Sequence, residues 1–93
     1  MRFLVVLDAK TPIGETYLAG NNDGTASGHP VLDCKSIDGS SYQYLVCTRD
    51  SSRSGVKQTI HVPHHAVAYI LEYAKGDERP FGLVPPPEKK SAR

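Results

Sequence analysis

Basic and histidine side chains are concentrated between residues 49 and 65 of the chain. Guanidinium and ammonium groups hydrogen-bond to phosphate oxygens, and imidazole adds donors and, near neutral pH, positive charge. Such a concentration within one short segment predicts a binding site for an anionic ligand. The candidate ligand-binding residues of this segment are Arg49, Arg53, Lys57, His61, His64 and His65.

Two tyrosines, Tyr42 and Tyr44, precede this segment. In alternation with Leu45 and Cys47, they share one face of a predicted strand. Aromatic faces stack on nucleotide bases, so both tyrosines are candidate ligand-binding residues as well. The alternative is that the tyrosines belong to a sheet core and that the basic side chains are solvated turn charges.

The spacing of the histidines also bears on metal binding. His61 and His65 are four residues apart, which would place them on one face of a helix. Pro63 lies between them, and no carboxylate is close enough in sequence to complete a ligand set, although Asp33 or His29 could approach in space. We therefore expect no metal site, and solvent-facing or turn-capping imidazoles instead.

No pattern typical of catalysis is present in the sequence. Cys34 and Cys47 lie in apolar, strand-like surroundings, where a free cysteine normally behaves as a small buried hydrophobe. The serines at 51, 52 and 54 belong to a predicted turn and lack the context of a nucleophile elbow. The chain also lacks a phosphate-binding loop and a dinucleotide fingerprint. The prediction is a protein that is not an enzyme and has no cofactor.

The composition is that of one small globular domain. The chain has 93 residues, of which 39% are hydrophobic and 23% charged. A net charge of +1 argues against a generic polyanion binder, so any contact with nucleic acid must come from local clustering of charge. We expect a single β-rich domain over residues 1–84, followed by a disordered polar tail over residues 85–93.

The apolar run Phe3–Leu7 is ended by Asp8, and it is too short for a signal peptide or a membrane span. A disulfide between Cys34 and Cys47 on facing strands would be geometrically allowed. Without an export signal, however, reduced cysteines are the better interpretation. The sequence therefore predicts a cytoplasmic protein with no membrane partner.

Successive hairpin signals predict a mostly β fold. The first strand, rich in Val and Leu, is expected to be buried on both faces. Asp38-Gly39 between two apolar runs is a strong turn signal. The predicted elements are a strand at Arg2–Asp8, a turn at Thr11–Gly14, a short strand at Glu15–Ala19, an exposed loop or wide hairpin connection at Gly20–Pro30, a hairpin of Val31–Ile37 and Ser41–Arg49, and an alternating strand at Val56–Val62.

The segment from Pro63 to Ala74 fits two interpretations. As a helix, it would have an apolar stripe at helical spacing. As a strand, it would place Val67, Tyr69, Leu71 and Tyr73 on one face, and its β-branched and aromatic content favours this. We expect one helical turn at residues 63–65 followed by a strand.

Residues 56–71 resemble the last hairpin of Sm-like proteins, those of the Hfq group in particular. Val56-Lys-Gln58 precedes His64-His65-Ala66-Val67, which is similar to the Val-x-Gln strand and Lys-His turn of that family. In that family the turn faces the pore of a ring and contacts RNA. The resemblance implies a small five-strand SH3/Sm-like barrel, or a strongly curved antiparallel sheet with at most one short helix. It also implies RNA contact by His64 and His65.

The short, nearly neutral and motif-poor chain also resembles the small accessory proteins of bacteriophages, many of which bind host factors or sequester nucleotide signals. We therefore predict a non-enzymatic phage-type protein that holds a nucleotide signal or an oligonucleotide on a basic and histidine-rich surface. Apolar side chains that a small core does not bury, at Tyr69, Tyr73, Phe81 and Val84, predict a homo-oligomer. The alternative is a protein-interaction module, or an inhibitor of a host defence protein, that acts through an exposed strand edge or the Gly20–Pro30 loop.

Overall fold

A computed structural model describes residues 2–51, 56–74 and 83–84. Its elements are mostly β, as predicted, with one eight-residue α-helix in the described part. In chain order they are β1 (Arg2–Leu7), α1 (Pro12–Ala19), β2 (Thr25–Ala26), β3 (His29–Asp38), β4 (Tyr44–Ser51), β5 (Val56–Pro63), a 3-10 turn (His64–Ala66), β6 (Val67–Tyr73) and β7 (Leu83–Val84). The predicted tail at 85–93 and Arg53 lie outside the described residues.

Five long strands form one antiparallel sheet in the order β5-β4-β3-β1-β6, and β2 pairs with both β3 and β7. The two edge strands, β5 and β6, are joined by only the three-residue 3-10 turn. Four residue steps span at most about 14 Å, whereas the edges of five flat strands would be about 19 Å apart. The sheet must therefore curve strongly. Among the described residues no ladder joins β5 to β6, so the sheet is open rather than a closed barrel.

The central strand β1 is buried on both faces, as predicted. Val5 and Leu7 pack in the main core with residues of β3, β4 and β5. Leu4 and Val6 face the other way and pack with Ala26 and Val31. A second, smaller apolar cluster therefore lies on that face, and the main core lies on the face that β4 and β5 share.

The predicted turn at Thr11–Gly14 and strand at Glu15–Ala19 are wrong, because these residues form α1. Pro12 occupies the first turn of the helix, where a missing N–H costs nothing. The Thr11 hydroxyl caps this end by accepting a hydrogen bond from the Gly14 amide at 3.1 Å. A β-carbon on Gly14 would collide with the Asp8 carbonyl oxygen, so glycine lets the helix begin against the end of β1.

The segment Gly20–Pro30, predicted to be an exposed loop or a wide hairpin connection, contains a hairpin and is partly buried. Its Asp23 and Ala26 side chains are enclosed, and β2 forms a tight hairpin with the start of β3. The turn residues Ser27 and Gly28 have φ values of 53° and 82°, as a two-residue turn of twisted strands requires. Its glycine and polar residues thus belong to a folded hairpin.

No helix in the described part is long and apolar enough to cross a bilayer.

The hairpin of β3 and β4 is confirmed, but its turn is longer than Asp38-Gly39. β3 ends at Asp38 and β4 begins at Tyr44, so five residues, 39–43, connect the strands. Asp38 itself pairs with Val46. The Asp38 carboxylate accepts a hydrogen bond from the Ser40 amide, and this bond lowers the pKa of Asp38. The expected turn-then-strand arrangement after β5 is also confirmed, with the 3-10 turn at His64–Ala66 and β6 from Val67.

Candidate functional site

The outer face of β3, β4 and β5 combines polar and aromatic side chains. Pairing of β4 with β5 sets Thr48 opposite Thr59 and Val46 opposite His61. The alternate residues, including Leu45, Cys47, Ile60 and Val62, are buried in the main core. Because strand side chains alternate between faces, the first set points away from the core. This outer face is therefore available to a ligand.

An open cleft of ≈ 350 Å³ lies on these strands. The strand register shifts between Cys34 and Ser36, and Lys35 lies at this irregularity, where its side chain is exposed. Lysine supplies three N–H donors with a positive charge, and threonine supplies a hydroxyl donor, so the cleft suits an anion with several oxygens. The cleft is lined by Lys35, Thr48, Arg49, Lys57, Gln58 and Thr59.

A ring pair adjoins the cleft. The centroids of Tyr44 and His61 are 6.2 Å apart, with an angle of 58° between the ring planes. Tyr44 is 39% exposed, and His61 is exposed as well. His61 follows Thr59 by two residues, a step of about 6.8 Å along the same face of a strand. The cleft and the ring pair are therefore neighbours on one surface.

The sequence predicted that Arg49 belongs to an exposed basic surface. This prediction is wrong, because the Arg49 side chain is only 1% exposed. It alternates inward with Leu45 and Cys47 on β4. Its Nη2 donates to the Asp23 carboxylate at 2.9 Å, and its Nη1 donates to Gln58 Oε1 at 2.8 Å. Asp23 therefore neutralises the charge of Arg49 inside the protein.

This interior network lies directly beneath the cleft. The Arg49–Gln58 pair is the step of the ladder next to Thr48–Thr59. The Tyr17 hydroxyl donates to Gln58 Oε1 at 3.4 Å, and the Tyr17 ring centroid lies 6.0 Å from the guanidinium carbon. Arg49 Nε, also buried, has no hydrogen-bond partner. The network joins α1 and the Asp23 segment to the strands that form the cleft.

The remaining predicted histidines contribute to loop structure. The His64 ring Nε2 lies 2.8 Å from the Ser41 carbonyl oxygen, and the His64 amide donates to the Gln43 carbonyl at 3.1 Å. His64 thereby fixes the loop between β3 and β4. His65 is exposed in the same 3-10 turn, and neither histidine lines the cleft. His29 also has a structural contact, because its Nδ1 accepts from the Ala9 amide at 3.0 Å.

Tyr42 lies in the β3–β4 loop, ahead of β4, and its side chain is fully exposed. It is therefore separate from the ring pair.

The described residues contain no group of three side chains that could hold a metal ion. Cys34 and Cys47 are free and buried. Their mutual hydrogen bond, together with burial, raises the pKa of the Cys34 thiol.

Sequence reasoning found Lys57, Tyr44 and His61 but missed Lys35, Thr48 and Thr59. Alternation placed Thr59 on the face of Lys57 and Thr48 on the face of Tyr44, but the pairing of the two threonines across β4 and β5 was not predicted. Lys35 could not be predicted, because no sequence pattern indicates the β3 irregularity that exposes it.

The chain matches no protein-family model, and comparisons with curated proteins and solved structures give no match either.

Proposed function

We propose that the protein is a non-enzymatic binding protein that holds a nucleotide or a short oligonucleotide on the outer face of β3, β4 and β5. The observation that supports this most directly is the cleft with the exposed Lys57 beside the Tyr44–His61 ring pair. Lysine is a common phosphate ligand, and aromatic rings stack on bases without regard to sequence. One surface of a nearly neutral chain thus combines a cation with aromatic rings.

The strand order adds support for the expected small-barrel architecture of SH3/Sm-like type. A meander of β1, β3, β4 and β5, followed by a short 3-10 turn and a strand that returns to β1, is the arrangement such a barrel requires. We infer from this a curved platform whose outer strands present the ligand site. Its phage-type role would be to sequester a nucleotide signal.

Self-association through β6 belongs to the same proposal. Most residues of β6 are exposed, among them Tyr69, Ile70 and Leu71. Within the described residues β6 pairs only with β1, which leaves its other edge open. Exposed apolar edge strands tend to pair with another chain. A homo-oligomer would bury this edge.

A second candidate function rests on this edge as well. An open apolar strand suits addition of a strand from a different protein, as in peptide recognition by β-augmentation. The protein would then act as an interaction module or as an inhibitor of a host defence protein. The Gly20–Pro30 segment is the weaker contact surface, because much of it is folded into the β2–β3 hairpin.

Salt dependence of binding separates the two functions. Association with single-stranded RNA should weaken log-linearly with salt, with a slope set by the number of phosphate contacts. Lys57→Gln should make that slope shallower by roughly one contact, whereas Lys10→Gln, on an exposed lysine away from the cleft, should not. Fluorescence anisotropy of a labelled oligonucleotide at several salt concentrations measures this. No binding at low salt, or a slope that Lys57→Gln leaves unchanged, would contradict the proposal.

A further inference from the structure

Resting on the proposed function, we propose that the outer face is divided into two subsites that together recognise one phosphate-bearing nucleotide. The cleft beside Lys57, Thr48 and Thr59 takes the phosphate, and the Tyr44–His61 ring pair takes the base. The unit of recognition is then a nucleoside phosphate, and a longer strand is held through one such unit.

The cleft has the chemistry of a phosphate subsite. Thr48 and Thr59 are directly opposite each other across β4 and β5, so their hydroxyls point to the same side. Lys57 precedes Thr59 by two residues and therefore shares its face, and its side chain is exposed. One ammonium and two hydroxyls can donate to different oxygens of a tetrahedral anion at the same time.

The ring pair has the geometry of a base subsite. The Tyr44 and His61 rings are tilted by 58° rather than stacked in parallel, and both side chains are exposed, so the pair offers aromatic surface to a ligand. His61 lies one two-residue step from Thr59. That step is about 6.8 Å, a gap that a single ribose bridges between a phosphate and its base. Both ends of one nucleotide therefore fit on this surface.

The interior supports the same placement. The Asp23–Arg49–Gln58 network fixes β4 to β5 at the ladder step beside Thr48–Thr59. Donors that are held in place before the ligand arrives lose less freedom on binding. The phosphate subsite therefore lies on strands that side-chain hydrogen bonds connect in the interior.

The test is isothermal titration calorimetry of the full chain at low salt with four probes. These are adenosine 5′-monophosphate, adenosine, inorganic phosphate and a single-stranded oligoribonucleotide. We expect the nucleotide to bind at least tenfold more tightly than either adenosine or phosphate, because both subsites are then filled. Lys57→Gln should weaken both the nucleotide and phosphate. Tyr44→Ala should weaken the nucleotide about tenfold and leave phosphate unchanged, since a stacking loss acts on the base alone.

Three controls make the outcome decisive. Tyr44→Phe should retain nucleotide binding, His61→Ala should reproduce the effect of Tyr44→Ala, and Lys10→Gln should behave as wild type. If the oligonucleotide binds while the monophosphate does not, or if Tyr44→Ala binds all probes as wild type does, the two-subsite inference is wrong and the proposed function stands. If Lys57→Gln binds all probes, the oligonucleotide included, as wild type does, both are wrong. If neither the monophosphate nor the oligonucleotide binds, both are wrong.

Discussion

Arg49 donates a hydrogen bond to the Asp23 carboxylate across 2.9 Å in the interior, and both side chains are almost completely buried. The two residues come from distant parts of the chain, β4 and the segment after α1. Asp23 Oδ2 also accepts from the Asp33 amide at 2.7 Å, so the same carboxylate contacts β3. One ion pair therefore holds three parts of the fold together beneath the candidate site.

Removal of one member of this pair should be costly. Arg49→Met leaves the Asp23 carboxylate buried without its cation, and such losses typically lower the free energy of unfolding by about 3–5 kcal/mol. The double variant Arg49→Met with Asp23→Asn should recover part of that loss. Urea denaturation followed by circular dichroism measures both. Arg2→Gln, which removes a more exposed partner of Asp33, is the control and should cost less. A loss for Arg49→Met no greater than that of Arg2→Gln would contradict a stabilising role for the interior pair.

Gly14 should not tolerate a methyl group. In an ordinary helix Gly→Ala is stabilising, but at Gly14 the new β-carbon meets the Asp8 carbonyl oxygen. We expect Gly14→Ala to lower the free energy of unfolding by about 1–3 kcal/mol. Gly20→Ala is the matched control, because nothing lies within 4 Å of its added carbon and its φ of 176° is extended. Thermal unfolding of both variants should separate them, and equal midpoints would show that the start of α1 can move away from β1.

The buried Cys34 thiol should make stability fall in alkaline solution. Folding raises the pKa of Cys34, through its hydrogen bond to Cys47 and burial, so the unfolded chain loses this proton first. The same hydrogen bond lowers the pKa of Cys47, which acts in the opposite direction and reduces the effect. The contribution of Cys34 is complete below the unfolded thiol pKa of about 8.5 and declines as pH rises beyond it. Cys34→Ala should flatten the decline in unfolding free energy between about pH 8 and 10. A slope unchanged in that variant would assign the decline to other groups.

His64 should control the loop and leave the cleft unaffected. His64→Ala removes the ring contact with the Ser41 carbonyl, and amide hydrogen exchange in residues 40–43 should become faster. Affinity for the nucleotide should stay within about twofold of wild type, because His64 does not line the cleft. His65→Ala is the neighbouring control and should alter neither quantity. Loss of nucleotide affinity in His64→Ala would instead favour the RNA contact that the Sm-like resemblance implies.

The β6 edge should govern self-association. Tyr69→Lys and Leu71→Lys place charges on an exposed apolar edge strand, which is how natural sheets prevent pairing with other chains. We expect these variants to shift the mass measured by light scattering to the 10.1 kDa monomer. Leu18→Lys, at an equally exposed leucine on α1, should leave the wild-type mass unchanged. A monomeric wild type at micromolar concentration would contradict the predicted oligomer.

Much of the sheet could be predicted from the sequence, because its strands alternate or are continuously apolar. The inward placement of Ile60 and Val62 and the outward placement of Lys57 and His61 followed from periodicity alone. The same parity also turns Arg49 inward, beside Leu45 and Cys47. The error there was to infer exposure from charge, since only the distant Asp23 makes burial of a guanidinium tolerable.

The parts that could not be predicted depend on contacts between distant residues. Eight residues with a glycine and a β-branched threonine have weak helical preference, and α1 depends on its Thr11 cap and its packing near β1. The cleft likewise requires Thr48 and Thr59 to meet across two strands and requires an irregular register at Lys35. No local pattern encodes either relationship. The pairing of Tyr44 with His61 was not predicted, because Tyr42 was expected to accompany Tyr44 on its face.

The pairing of β1 with β6 has a consequence for biosynthesis. Arg2, at the start of the described chain, is the ladder partner of Tyr73. Both faces of β1 are core, and β6 follows β1 by about 60 residues of chain, so β1 remains without this neighbour until β6 has been translated. Closing so long a loop costs chain entropy and slows folding. During that interval the apolar strand β1 is exposed on one edge, which makes the nascent chain a target for chaperones that recognise extended apolar segments.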